Sequence, residues 1–101
     1  MDFPTSIQGK ILVHHVDNKA EQTRWSTKVR LSRGYEVGFA CLDGSRMTVT
    51  TSTGLQIPAK CDGTTYYYRA RGLPRHKRTY TFHVKVQPGT RWELAITTLK
   101  K

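Results

Sequence analysis

Side chains of period two run through this chain and commit it to β-structure. Tyr80, Phe82, Val84 and Val86 alternate with Thr81, His83 and Lys85, and Trp25, Thr27, Val29 and Leu31 alternate with Ser26, Lys28 and Arg30. Successive side chains of a strand point to opposite sides, so each run offers one face to a core and the other to water. No apolar stripe at i, i+3, i+4 persists for three turns, and β-branched and aromatic residues fill every run.

Further strands are expected from Ile7 to about Val16, over Tyr35 to Cys41, Arg46 to Thr50 and Thr65 to Arg69, and from Trp92 to Thr98, with a short one around Leu55 and Ile57. Between them stand turn signals: the polar run Asp17 to Gln22, Arg33-Gly34, Asp43-Gly44, Asp62-Gly63 and Gln87-Pro88-Gly89-Thr90. Asp43-Gly44 reads as a two-residue hairpin whose return strand starts at Arg46. Residues 1–6 read as an N-terminal arm, with Pro4 denying a ladder donor. One domain spanning all 101 residues is expected, because a chain this long builds one core and not two. Seven to eight short strands with turns every eight to twelve residues imply an all-β sandwich first and a small β-barrel second.

Trp25 is followed ten residues later by Tyr35, and Gly72-Leu73-Pro74 leads into Tyr80-Thr-Phe82-His-Val84-Lys-Val86. This pattern resembles the second-strand Trp, third-strand Tyr and tyrosine corner of a fibronectin type III or related immunoglobulin-like sandwich. The resemblance loosely covers Trp25 to Val86 and implies an immunoglobulin-like fold. Such folds host many unrelated functions, so activity has to be argued from particular side chains.

Charge is the feature that speaks to function. Lys and Arg total 17 against 7 acids, a formal net charge of +10. That excess implies an anionic partner and says nothing of fold. No acid occurs between Gly63 and Trp92, a span that holds Arg69, Arg71, Arg75, Lys77, Arg78 and Lys85. Arginine binds phosphate through paired hydrogen bonds, and Tyr67, on the opposite side of its strand from Tyr66 and Tyr68, offers a ring for stacking. These seven residues are the expected nucleic-acid or polyanion site, with Lys28 and Arg30 joining it if their strand lies alongside. The competing reading of the same charges is a solvated edge that keeps sheets from pairing, or a surface for an acidic protein partner. Sulfated or sialylated glycans would suit the same patch.

Catalysis is not expected. Glu36 or a histidine as base, with a second histidine as acid, would make a ribonuclease-like pair, but nothing in the sequence gathers them, and His14 and His15, as strand neighbours, point to opposite faces. There is no phosphate-binding glycine loop, no nucleophile elbow and no ring motif of an RNA-recognition sheet. No cofactor or metal is expected, since neither Cys41 nor Cys61 has a histidine at ligand spacing. For these two cysteines, buried reduced thiols are the first expectation and a disulfide the second. No secretory signal or run of 18 apolar residues is visible, which points to a cytoplasmic or virion-associated protein outside any membrane. The expected function is therefore a non-enzymatic module that binds nucleic acid through its backbone, without sequence specificity. The alternative is a structural or protein-interaction module, such as a viral or phage accessory protein, working through edge strands and exposed aromatics.

Overall fold

A computed structural model describes residues 10–99 of the chain, so the proposed arm at residues 1–6 and the start of the first strand at Ile7 lie outside the described residues. Among the described residues there are eight strands: β1 (Ile11–Asp17), β2 (Arg24–Leu31), β3 (Gly34–Leu42), β4 (Arg46–Thr51), β5 (Gln56–Lys60), β6 (Tyr66–Arg71), β7 (Arg78–Lys85) and β8 (Arg91–Thr97). They form two four-stranded antiparallel sheets, sheet I in the order β1-β8-β3-β6 and sheet II in the order β2-β7-β4-β5. The all-β sandwich expected from the alternation is what forms. Among the described residues the strands form two separate sheets and not the closed barrel that is the second expectation.

The connectivity is not the immunoglobulin one. An immunoglobulin sandwich sets its first, second, fourth and fifth strands in one sheet, whereas here β1 and β2 lie in opposite sheets. Chain and space alternate almost throughout: of consecutive strands, only β4 and β5 pair as a hairpin. The order β1-β8-β3-β6 over β2-β7-β4-β5 is the doubly wound Greek-key arrangement of a jelly roll.

The Asp43-Gly44 turn shows why local signals misplaced the connections. Asp43 adopts a left-handed backbone with φ of 62°, as a tight turn requires. Yet Gly44 packs directly against Thr90, where a Cβ would collide with the threonine hydroxyl. Ser45 then donates from its backbone N and its Oγ to Gln87 Oε1, at 2.9 and 2.8 Å. The turn is thus anchored on the β7–β8 connection, and the chain crosses to the other sheet instead of folding back on β3.

The inward sets read from the alternation meet in one core. Val37 and Phe39 of β3 with Trp92, Leu94 and Ile96 of β8 face Val29 and Leu31 of β2, Met47 and Val49 of β4, and Tyr80, Phe82 and Val84 of β7. Tyr35 meets Phe82 edge-on across the sheets at 5.2 Å. Full burial of a residue such as Phe82 is worth about 1.5–3 kcal/mol. β3 and β8 are buried along almost their whole length. Their outward positions hold small Gly38, Ala40 and Ala95 together with the buried Glu36, Glu93 and Thr97.

Cys41 and Cys61 form a disulfide, and the expectation of two reduced thiols is corrected accordingly. Cys41 ends β3 in sheet I and Cys61 follows β5 in sheet II, so the bond clamps one sheet to the other. Their Cα atoms are 4.5 Å apart, a proximity created by the crossing strands and invisible in a separation of 20 residues.

Candidate polyanion-binding face

The seven residues singled out from the sequence do not share one surface. Tyr67, Arg69 and Arg71 are exposed on the outward side of β6, the edge of sheet I, while Tyr66, Tyr68 and Ala70 turn inward. Arg75 and Lys77 occupy the loop that crosses between sheets, and Arg78 opens β7. Lys85 stands on the outward face of sheet II, on the other side of the sandwich from Tyr67. The physical reason is topological: β6 and β7 are consecutive in sequence but belong to different sheets.

Arg69 has a further task. Its Nε donates to Glu36 Oε2 at 2.7 Å, and the Glu36 side chain is only 6% exposed. A buried carboxylate left alone is strongly unfavourable, so this guanidinium belongs to the fold first. Sheet I holds two further contacts of this kind: His14 Nε2 lies 2.6 Å from Glu93 Oε2, and Arg91 lies 4.0 Å from Asp43.

Sheet II is built differently. Its outward positions carry Arg24, Lys28 and Arg30 on β2, Lys85 on β7, Arg46 on β4 and Lys60 on β5. No Asp or Glu occurs in any of its four strands. The ladder sets Arg24 opposite Lys85 and Arg46 opposite Lys60, and like charges directly across a strand pair are destabilising by themselves. Ser26, Thr48, Thr50, Thr79 and Thr81 fill the positions between them with hydroxyls, and His83 lies among them, opposite Ser26 and Thr50. Lys28 and Arg30 do lie alongside β7, opposite Thr81 and Thr79. At that end the crossing loop is tied down: Arg33 N donates to Pro74 O and Leu73 N to Arg33 O, both at 3.0 Å. These bonds bring the loop that carries Arg75 and Lys77 to the Arg30 end of the face.

Arg24, Arg46 and Lys60 are inconspicuous in the sequence: Arg46 and Lys60 are the single cations of β4 and β5, and Arg24 lies at the start of β2, just after a polar run. The signal that finds them is the outward phase of acid-free alternating runs. Glu36 is buried under Arg69 on sheet I, whereas His83 faces out from sheet II. Among the described residues no group of three His, Cys, Asp or Glu side chains is placed to hold a metal ion. Two groups have displaced pKa values, both for structural reasons. Burial, with Tyr68 and Tyr80 nearby, pushes the Tyr35 phenol up to about 12. Hydrogen bonding to Thr64, whose backbone N–H donates at 2.9 Å, holds the Asp62 carboxyl below its ordinary range. In comparisons with protein-family models, curated proteins and solved structures, nothing matches this chain.

Proposed function

We propose that the chain is a non-enzymatic binding module that holds a polyanion, in the first place nucleic acid, on the outward face of sheet II. The observation that carries this reading is the difference in charge between the two sheets: six outward cations and no acid in the strands of one, against carboxylates met by Arg69, Arg91 and His14 on the other. Setting cations opposite one another in a ladder is unfavourable until an anion lies between them. The cations are spread across a sheet face and interleaved with hydroxyls, and no helix occurs among the described residues, so contact is through phosphates and is not sequence-specific.

The test is fluorescence anisotropy with labelled single- and double-stranded RNA and DNA of mixed sequence, titrated at about 50 and 200 mM salt. Six phosphate contacts would give a slope of log K against log salt of about −5 on duplex DNA, at roughly 0.9 per contact. The double variant Lys28→Glu, Lys85→Glu is expected to weaken binding at least tenfold and flatten that slope. Arg71→Glu, on sheet I, is expected to leave both unchanged. Absence of binding at the lower salt would refute the proposal.

A second reading, an interaction module for a protein partner, has one observation of its own. Ile11, Leu12 and Val16 are exposed together on β1, an edge strand without Lys or Arg. Size-exclusion chromatography at high salt separates the readings, since an oligomer that persists there rests on this apolar edge and not on charge. The interior disulfide favours an oxidising environment over a reducing cytosol. No helix among the described residues is long and apolar enough to cross a membrane.

A further inference from the structure

Arg24 belongs to two places at once. It stands on the cationic face of sheet II and also borders a recess of about 320 Å³ where that sheet meets the β1–β2 loop. The inner wall of the recess is aromatic. His15 stacks on Trp25 with ring centroids 4.6 Å apart and 25° between planes, and it lies 4.9 Å from Trp92. The two indoles meet edge-on at 5.5 Å. Trp92 is buried, while Trp25 is half-buried and borders the opening.

The rim mixes acceptors from Asp17 and Glu21 with donors from Lys19 and Arg24, and Gln22 supplies both. The loop that carries it is held in place. Ala20 N donates to Thr90 O at 2.9 Å, Gly89 N to Ala20 O at 2.8 Å and Val86 N to Thr23 O at 2.9 Å. The recess is therefore preformed, and a small-molecule site needs that property.

We infer that the recess receives one unpaired nucleobase of a strand whose phosphates lie along sheet II, an inference that rests on the nucleic-acid reading above. A base is planar and stacks on an indole whatever its identity. Its edges carry donors and acceptors together, matching the mixed rim. A methylated ammonium, the other common guest of aromatic clusters, would meet a rim whose two acids, Asp17 and Glu21, are offset by Lys19 and Arg24, and it has no donor–acceptor edge to match that rim. Tyr67 cannot play the stacking part for this face, because it stands on the opposite side of the sandwich. A base held in a duplex is already stacked and paired, so the recess selects single strands.

The test uses the whole chain labelled with ¹⁵N and titrated with adenosine, cytidine and uridine, which carry no phosphate. Saturable shifts of the Trp25 and Trp92 indole N–H signals are expected. In parallel, a labelled single-stranded oligonucleotide is expected to bind more tightly than its duplex. Gln22→Trp, made at an exposed loop position so as to fill the recess without touching the core, is expected to weaken that binding about tenfold. Nucleosides that leave both indoles unmoved would overturn the inference, as would tetramethylammonium or a neutral sugar shifting them where nucleosides do not. An unchanged preference in Gln22→Trp would overturn it too. Those outcomes leave the salt-dependent binding to sheet II standing, whereas loss of the cationic-face reading would appear as oligonucleotides that fail to bind at any salt.

Discussion

Removing the Cys41–Cys61 bond tests how much the clamp between the sheets contributes. The bond closes a loop with a sequence separation of 20. In the chain-entropy description, cross-linking a loop of that size restricts the unfolded chain by about 11 cal/mol/K, or about 3 kcal/mol at 25 °C. A domain of this length has a total stability of about 5–15 kcal/mol, so the loss is a large share of what holds it folded. The double variant Cys41→Ala, Cys61→Ala should therefore unfold at lower urea concentration, with a melting temperature roughly 12–24 °C lower, at about 4–8 °C per kcal/mol for a domain of this size. The wild type in excess reductant should approach the same midpoint. Equilibrium urea unfolding followed by tryptophan fluorescence measures it directly, because Trp92 is buried and Trp25 half-buried in the fold. A loss below about 1 kcal/mol, with the oxidised state verified by mass, would refute the idea that this bond is a principal restraint.

Two further outcomes are expected. Arg69→Ala should destabilise the fold by about 2 kcal/mol by stranding the buried Glu36, a figure reduced because the arginine is itself half-exposed; adding Glu36→Gln should recover most of it in the same urea assay. Tyr35, with its folded phenol raised to about 12 from 10, holds its proton more tightly folded than unfolded. Its contribution is thus complete below pH 10 and lost as pH rises from 10 to 12. Absorbance at 295 nm should show one of the five tyrosines ionising late, and Tyr35→Phe should abolish that late step.

What the sequence made legible was local. Period two in Trp25 to Leu31 and Tyr80 to Val86 assigned inward and outward sides correctly, because pleat alone decides them. Which strand lies beside which depends on closures between residues far apart, and Asp43-Gly44 carries no mark of being held by Thr90 and Gln87. For the same reason Arg69, Arg71 and Lys85 looked like neighbours in one acid-free span. The face proposed for binding draws instead on Arg24, Arg46 and Lys60, from three different stretches of chain. The His15, Trp25 and Trp92 cluster was equally hidden, since its members belong to β1, β2 and β8.

The pairing of the first strand with the last has a consequence for biosynthesis. β8 lies between β1 and β3, and the ends of the described chain are laced together there: Thr98 N donates to Lys10 O and Lys10 N to Thr98 Oγ1. Until β8 has left the ribosome, β1 has no ladder to join, and β3 has only β6 beside it. Sheet I therefore closes after synthesis of β8 and cannot form progressively during translation. Pairings so distant in sequence are slow, on the order of milliseconds to seconds, and throughout that interval β1, with Ile11, Leu12 and Val16, lacks the partner strand that it has among the described residues.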